Sequence, residues 1–167
     1  GIKQQVNSVL NLLDETIGTV RKISAALRPS VLDDLGLVEA LRVHGREFQK
    51  RFGIEVDFHT DLEGVAIPAK LAISLFRIFQ ESLTNVARHA DATKVSSQLT
   101  RSGPNIVLKI ADNGRGFNMA DTALKKTLGL LGMKERILML DGVYEINSSP
   151  GTGTEIVVTV PLQSFAP

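Results

Sequence analysis

The sequence contains no cysteine, and its 19 basic residues outnumber its 18 acidic residues by one. The missing cysteine excludes disulfide bonds, thiolate metal sites and cysteine nucleophiles, and it leaves the compartment open. A formal net charge of +1 excludes a broad field that would attract nucleic acid or anionic lipid. No apolar run approaches the roughly 20 residues of a membrane span, and residues 1–10 lack the basic and apolar blocks of a signal peptide. We therefore expect a soluble, cytoplasmic chain that is not embedded in a membrane and does not bind nucleic acid directly.

The N-terminal segment carries a narrow apolar stripe. A length of 167 residues with 43% hydrophobic content suits one domain with a short addition. Between residues 2 and 27 the apolar side chains recur in steps of three and four, which predicts a helix. The stripe is as narrow as a coiled-coil seam, so pairing with another chain is favoured over packing on the same domain. Pro29 ends this helix, and we divide the chain into segments 1–34 and 35–167.

The pattern of the second segment predicts an α+β fold. Three helices are expected, over 38–52, 68–90 and 129–140. Five strands are expected, over 54–59, 94–100, 106–111, 143–147 and 155–160. The stretch between 113 and 127 has no clear period and is expected to form a loop. These elements predict a two-layer α/β sandwich, with helices on one face of a mixed, mostly antiparallel five-strand sheet.

A polar stripe runs along the second of these helices. Glu81, Asn85 and His89 are spaced by four residues, so they share one helix face. A carboxylate, an amide and an imidazole in this arrangement could supply a base, a metal ligand and a phosphate contact. The alternative is a solvated polar face without function, which is the commoner meaning of such a stripe.

Three glycine-containing motifs follow the polar stripe. Asp112 ends an apolar strand and is followed by Gly114 and Gly116, which let a backbone approach a ligand closely. The stretch 129–132 is expected to open a helix, whose free N–H groups bind phosphate. The stretch 151–154 lies in the final hairpin. Each motif alone is also compatible with a simple turn, so their joint order carries the argument.

That order resembles the ATP-binding domain of the sensor histidine kinases, within the gyrase, chaperone and MutL-like ATPase superfamily. The four motifs are FQESLTNVARHA at 79–90, DNGRGF at 112–117, GLLGMKER at 129–136 and GTGTE at 151–155. They are similar to the N box, the two glycine boxes and the final glycine-threonine element of that family. With LRPSVLDDLGL at 27–37, the N box resembles the nitrate-sensor and desaturase-sensor subgroup. The resemblance implies the Bergerat-type ATP-binding fold.

The resemblance also implies roles for individual residues. Asp112 would accept a hydrogen bond from the adenine amino group, with Thr154 beside it. Asn85 would hold Mg²⁺, and Glu81 would act as the general base. Further ATP contacts are implied for Arg88, His89, Gly114, Gly116, Gly129, Leu130, Gly132 and Met133. Residues 118–127 would form a lid that becomes ordered only when nucleotide binds.

Two departures from the family pattern limit this expectation. Thr127 stands where the family often has a glycine, so one flexible point of the lid is missing or displaced. The phosphoacceptor box is also absent, because the three histidines, His44, His59 and His89, are not followed by an acidic residue. We expect His44 and His59 to be structural or surface residues.

The resemblance therefore predicts the catalytic part of a sensor histidine kinase. Segment 1–34 would be the second helix of the dimerisation hairpin and a connector. The γ-phosphoryl group of ATP would pass to a histidine on a helix absent from this chain, in a homodimer, and then to a response regulator. The alternatives are another ATPase of the superfamily, a serine kinase of the anti-sigma type, or a degenerate nucleotide-binding module without turnover.

Overall fold

The computed structural model describes residues 30–121 and 124–162. The chain divides into two compact units, Gly1–Asp34 and Leu35–Pro167. The helix predicted over residues 2–27 lies outside the described residues. The assignment of segment 1–34 to a dimerisation hairpin therefore stays a prediction.

The described elements form one mixed sheet with helices packed on it. The helices are α1 (Ser30–Phe52), α2 (Ala69–Asn85) and α3 (Leu124–Leu138), with a π-helical turn at Val86–Ala90 and a 3₁₀ turn at Met119–Asp121. The strands are β1 (Glu55–Thr60), β2 (Lys94–Ser102), β3 (Asn105–Asp112), β4 (Val143–Ser148) and β5 (Thr154–Pro161). In the described part of the chain the strand order is β1-β2-β3-β5-β4, with β1 and β2 parallel and the other pairs antiparallel. The predicted α+β fold is confirmed.

Helix α2 buries its apolar face in the core between the helices and the sheet. Leu75, Phe79 and Leu83 are fully buried, and Val86 and Ala90 continue this face into the π turn. Alternate side chains of the central strands are buried with them, since successive strand residues point to opposite faces. These residues are Val95, Ser97, Leu99, Ile106, Leu108, Ile110, Ile156, Val158 and Val160. The 3.6-residue period of α2 and the alternation of the strands thus build a single core.

Helix α1 contains a break that the sequence pattern did not predict. The helix was expected to start near Val38, but helical turns are present from Ser30, and Gly36 between them has φ of 75°. This left-handed value favours glycine because a Cβ atom would be strained there. Gly53 ends the helix as expected, with φ of 69° and its N–H donating to the Gln49 carbonyl at 2.9 Å.

Helix α3 begins earlier than the sequence predicts. It starts at Leu124 instead of Gly129, so Gly129 and Gly132 lie inside the helix. An interior glycine costs about 1 kcal/mol relative to alanine. Burial of Met133 and Ile137 contributes about 1.5–3 kcal/mol for each side chain, so packing outweighs the two glycines. The prediction that Gly129 and Gly132 open the helix and offer free N–H groups is wrong.

The region expected to be a loop also contains regular structure. The 3₁₀ turn and the first residues of α3 occupy part of 113–127, including the backbone of Thr127. The expected lid over 118–127 is therefore not without structure in its described residues. Likewise, the predicted helix over 68–90 is not α-helical to its end, because its last five residues form the π turn. A left-handed Asp91, with φ of 50°, ends that turn.

The two remaining histidines lie apart from these glycine motifs. The His44 ring packs between Phe76 and Phe79, with centroids 5.6 and 6.0 Å away. Burial lowers the pKa of His44, so this side chain is accommodated as a neutral ring. His59 is exposed, and its Nδ1 lies 3.4 Å from an oxygen of Asp57.

Tyr144 on β4 provides a test of this packing. Its hydroxyl is buried and has no hydrogen-bond partner among the described residues. Burial raises the pKa of Tyr144 to about 12. Because this exceeds the ordinary value of 10.0, ionisation of Tyr144 favours the unfolded chain, and the free energy of unfolding falls as pH rises from 10 towards 12.

We predict that Tyr144 ionises near pH 12 in the folded protein and near pH 10 after unfolding. The chain has one tyrosine and no tryptophan, so ultraviolet absorbance reports this group alone. The variant Tyr144→Phe should be as stable as the parent or more stable, because it removes a buried hydroxyl without a partner. It should also lose less stability than the parent between pH 10 and 12. Ionisation near pH 10 in the folded state would show that the hydroxyl is solvated.

Candidate functional site

A mainly apolar cavity lies between the C-terminal part of α2, the start of β5 and helix α3. Val86, Ile110, Phe117 and Ile156 contribute to its walls. Six predicted site residues line it: Asn85, His89, Asp112, Gly116, Leu130 and Thr154. An apolar cavity with a few convergent polar groups is typical of a small-molecule binding site.

Asp112 is held in place by backbone on two sides. Its Oδ1 accepts a hydrogen bond from the Gly114 N–H at 2.8 Å. A Cβ atom on Gly114 would collide with the Ala90 carbonyl, and one on Gly153 would collide with the Asp112 carbonyl. The two glycines are therefore required by the close approach of backbone segments. Gly114 thus holds the Asp112 carboxylate through a hydrogen bond from its backbone N–H. The expected approach of Gly114 to a nucleotide stays a prediction, and Gly114 does not line the cavity.

The first and last glycine motifs form one hydrogen-bonded unit. The Gly151 N–H donates to the Arg115 carbonyl at 2.7 Å. The Phe117 N–H donates to Ser148 Oγ at 3.0 Å, and that hydroxyl donates to the Gly153 carbonyl at 3.0 Å. Ser148 also lies 2.9 Å from Thr154 Oγ1, so it fixes the threonine at the cavity. Sequence reasoning missed Ser148, because a serine at a strand end has no distinctive spacing.

Arg115 connects the same loop to the end of α2. Its backbone N–H donates to the Ala90 carbonyl and its Nε to the His89 carbonyl, both at 2.7 Å. Its guanidinium lies 3.6 Å from an Asp91 oxygen. The sequence analysis assigned no role to Arg115, although it orients the turn that carries His89. Arg88, in contrast, is exposed and does not line the cavity.

Asn85 carries an unsatisfied donor. Its Nδ2 is buried and has no hydrogen-bond partner in the part of the chain that the structure describes. A buried amide without a partner costs about 1–3 kcal/mol. Because Asn85 lines the cavity, an acceptor atom of a bound ligand would satisfy this group.

Four further predicted residues line a second, adjoining cleft of about 240 Å³. Glu81 lies there, one helical turn before Asn85, together with Gly129, Gly132 and Met133. A Cβ atom on Gly129 would lie 2.7 Å from Glu81 Oε1, so this glycine allows the carboxylate to approach α3. The stripe of Glu81, Asn85 and His89 is therefore shared between two clefts and does not line one.

The two glycine types should respond differently to alanine. Gly116 has φ of 59°, and a Cβ atom there would collide with the Ser149 carbonyl. Gly132 is helical, and a Cβ atom would meet nothing within 4 Å. We predict that Gly116→Ala lowers the free energy of unfolding by about 2–4 kcal/mol and that Gly132→Ala raises it by about 0.5–1 kcal/mol. Urea denaturation measures both, and an equal effect of the two substitutions would contradict this geometry.

The chain is similar in sequence to known proteins. The sequence model of the histidine kinase-, DNA gyrase B-, and HSP90-like ATPase family matches residues 70–164. The chain is 34% identical over 159 residues to the signal transduction histidine-protein kinase/phosphatase DegS of Brevibacillus brevis, covering 95% of this chain and 41% of that protein. It is 36% identical over 153 residues to the oxygen sensor histidine kinase NreB of Staphylococcus carnosus, covering 90% and 44%. The chain thus spans about two fifths of these relatives.

Two solved structures of histidine kinase domains have a similar fold. The histidine kinase domain of a blue-light activated kinase from Erythrobacter litoralis EL346 has a TM-score of 0.60 and 23% identity, over 76% of this chain and 61% of that one. The catalytic domain of histidine kinase ThkA has a TM-score of 0.60 and 14% identity, over 77% and 93%. These likenesses show the fold.

No helix within the described residues is long and apolar enough to cross a membrane.

The family match covers more than half of the chain, including all four motifs. The resemblance to the ATP-binding domain of sensor histidine kinases is confirmed, and the chain belongs to the histidine kinase-, DNA gyrase B-, and HSP90-like ATPase family.

Proposed function

We propose that this chain is the catalytic part of a sensor histidine kinase that binds Mg²⁺-ATP. It would transfer the γ-phosphoryl group to a histidine on a dimerisation helix outside this chain, in a cytoplasmic homodimer, for relay to a response regulator. One observation carries the proposal. The apolar cavity holds a fixed carboxylate, Asp112, and an unsatisfied buried amide, Asn85.

The Asp112 side of the cavity suits adenine. A carboxylate accepts hydrogen bonds only, so it complements the exocyclic amine of the base. The Thr154 hydroxyl would assist, and the apolar walls at Val86, Ile110 and Leu130 would cover the ring faces. Gly116 has no side chain, and this would leave room for the nucleotide in the cavity. Selection of adenine would therefore depend on one charged group in an apolar setting, where hydrogen bonds are strong.

The Asn85 side suits the phosphates and a metal ion. No group of three or more acidic or histidine side chains among the described residues could hold a metal. Mg²⁺ commonly takes few protein ligands and fills its shell with phosphate oxygens and water, so the single amide oxygen of Asn85 fits this ion. Bound Mg²⁺ would neutralise charge that develops on the phosphates. The amide N–H of Asn85 and the His89 ring would contact phosphate oxygens, and a contact from Arg88 stays a prediction.

Glu81 is the proposed general base. Its carboxylate lies in the cleft beside the nucleotide cavity, one turn from Asn85. Catalysis of phosphoryl transfer depends on positioning and charge stabilisation more than on covalent chemistry by the protein. A base in a separate cleft would receive the proton of the attacking group without contacting the adenine side.

Removal of the Asp112 carboxylate should weaken the binding of ATP and the binding of ADP equally. We expect Asp112→Ala to raise both dissociation constants about 10–100-fold, because a charge-assisted hydrogen bond to the base is lost. Isothermal titration calorimetry measures this, with the exposed Asp34→Ala as the matched control. An unchanged ADP affinity would remove Asp112 from the site.

Substitution of Glu81 and substitution of Asn85 should impair different steps. Glu81→Gln keeps the size and polarity of the side chain, so ATP binding should survive while phosphoryl transfer falls about 10²–10⁴-fold. Asn85→Ala should weaken Mg²⁺-dependent ATP binding and transfer together. Both are measured across a Mg²⁺ series with an acceptor hairpin supplied.

Three outcomes separate this proposal from its alternatives. Transfer at the parent rate by Glu81→Gln would make the base assignment wrong. ATP binding by the parent without any transfer to the acceptor would favour a degenerate module. Hydrolysis of ATP without transfer would favour a superfamily ATPase.

A further inference from the structure

The Ser148 hydroxyl lies where β4, β5 and the loop after β3 meet. Ser148 is the register partner of Thr154 at the ends of the two antiparallel strands. Its Oγ lies 3.0 Å from the Phe117 nitrogen, 3.0 Å from the Gly153 carbonyl oxygen and 2.9 Å from Thr154 Oγ1. Three groups thus contact one hydroxyl, which has one hydrogen and two lone pairs.

The chemistry of these neighbours fixes the direction of each hydrogen bond. The Phe117 N–H only donates, so it occupies one lone pair of Ser148. The Gly153 carbonyl only accepts, so it takes the single Ser148 hydrogen. The second lone pair of Ser148 remains, and the Thr154 hydroxyl therefore donates to it. The opposite direction would leave the Ser148 and Gly153 oxygens 3.0 Å apart without a hydrogen between them.

This direction determines what Thr154 offers to a ligand. Asp112 and Thr154 adjoin the last register pair of β3 and β5, so they lie opposite each other, and both line the apolar cavity. Because the Thr154 hydrogen is used by Ser148, its oxygen can offer only lone pairs to a bound molecule. The Asp112 carboxylate also only accepts hydrogen bonds. These two acceptors complement a ligand group that carries two N–H donors.

We infer that Ser148 is a positioning residue, which makes the Thr154 hydroxyl a hydrogen-bond acceptor for the amino group of the base. The inference rests on the proposed function and deepens it, because Ser148 itself does not line the cavity. An amino group has two N–H donors, one for each acceptor, whereas a base with hydrogen at that position has none. Ser148 would therefore contribute to base selection through Thr154.

A purely structural role for Ser148 gives a different expectation. If its hydroxyl only held the β4–β5 turn against the loop after β3, its removal would weaken the binding of every nucleotide by the same factor. If it sets the direction of the Thr154 hydrogen bond, its removal selectively weakens the binding of a base with an amino group. The ratio of two dissociation constants therefore tests the inference, and protein stability alone does not.

The probes are ADP and purine riboside 5′-diphosphate, which carries hydrogen in place of the amino group. Calorimetry with Mg²⁺ gives both dissociation constants, and the preference for ADP measures the contribution of the amino group. We expect Ser148→Ala to lower this preference about 2–10-fold, the range for one hydrogen bond. The matched control is Ser149→Ala, which removes an exposed hydroxyl that contacts Thr152 Oγ1 at 2.8 Å and should leave the preference unchanged.

Thr154 variants keep the test valid if Ser148→Ala folds poorly. Thr154→Val replaces the hydroxyl with a methyl group of similar size. It should weaken ADP about 2–10-fold and leave the purine analogue within about twofold, because only the amino group uses the acceptor. The double variant Ser148→Ala/Thr154→Val should show the same preference as Thr154→Val, since Ser148 acts through the Thr154 hydroxyl.

Three results would overturn the inference. These are equal weakening of both nucleotides by Thr154→Val, an unchanged preference in Ser148→Ala, and a further change of preference in the double variant. If the parent protein binds neither nucleotide, the proposed function fails as well, so the two failures are distinguishable.

Discussion

The close approach of three backbone segments around Asp112 is the constraint on which the site depends. The Gly114 and Gly153 backbones leave no space for a methyl group beside the Ala90 and Asp112 carbonyls. Gly116 adopts a left-handed φ against the Ser149 carbonyl. Because these contacts are made by backbone atoms, no rotamer change can relieve a larger side chain. The site therefore depends on the absence of a side chain at Gly114, Gly116 and Gly153.

The same loop joins the two sides of the proposed nucleotide cavity. Arg115 lies between Gly114 and Gly116, and it donates to the carbonyls of His89 and Ala90 in the π turn. The turn that carries His89 is thus fixed by the loop that follows Asp112. In the proposed function, His89 would lie on the phosphate side of the ligand and Asp112 on the base side. π turns occur frequently at functional sites, since the added residue re-aims the side chains around it. A disturbance at the glycines would reach both sides of the ligand.

Periodicity predicted the fold well, and the site only in part. The burial of Leu75, Phe79 and Leu83 and the mixed, mostly antiparallel five-strand sheet follow from patterns that tertiary packing reinforces. The order of the strands was not predicted. The predicted start of α3 was wrong, because the stretch 113–127 has no clear hydrophobic period and was expected to be a loop, whereas the helix begins at Leu124. The division of the polar stripe between two clefts was also missed. Helical spacing shows which residues share a face, but not where the neighbouring helix meets that face.

The position of α3 gives that division a chemical meaning. Because Gly129 and Leu130 are consecutive, the wall between the clefts is about one residue thick. Leu130 would cover the base in the apolar cavity. Because Gly129 has no side chain, the Glu81 carboxylate can approach α3, where it would lie next to the phosphates. Recognition of the nucleotide and chemistry on its last phosphate would then use different residues on each side of one helical turn. Under the proposed function, a substitution on one side would alter transfer while leaving binding of the base intact.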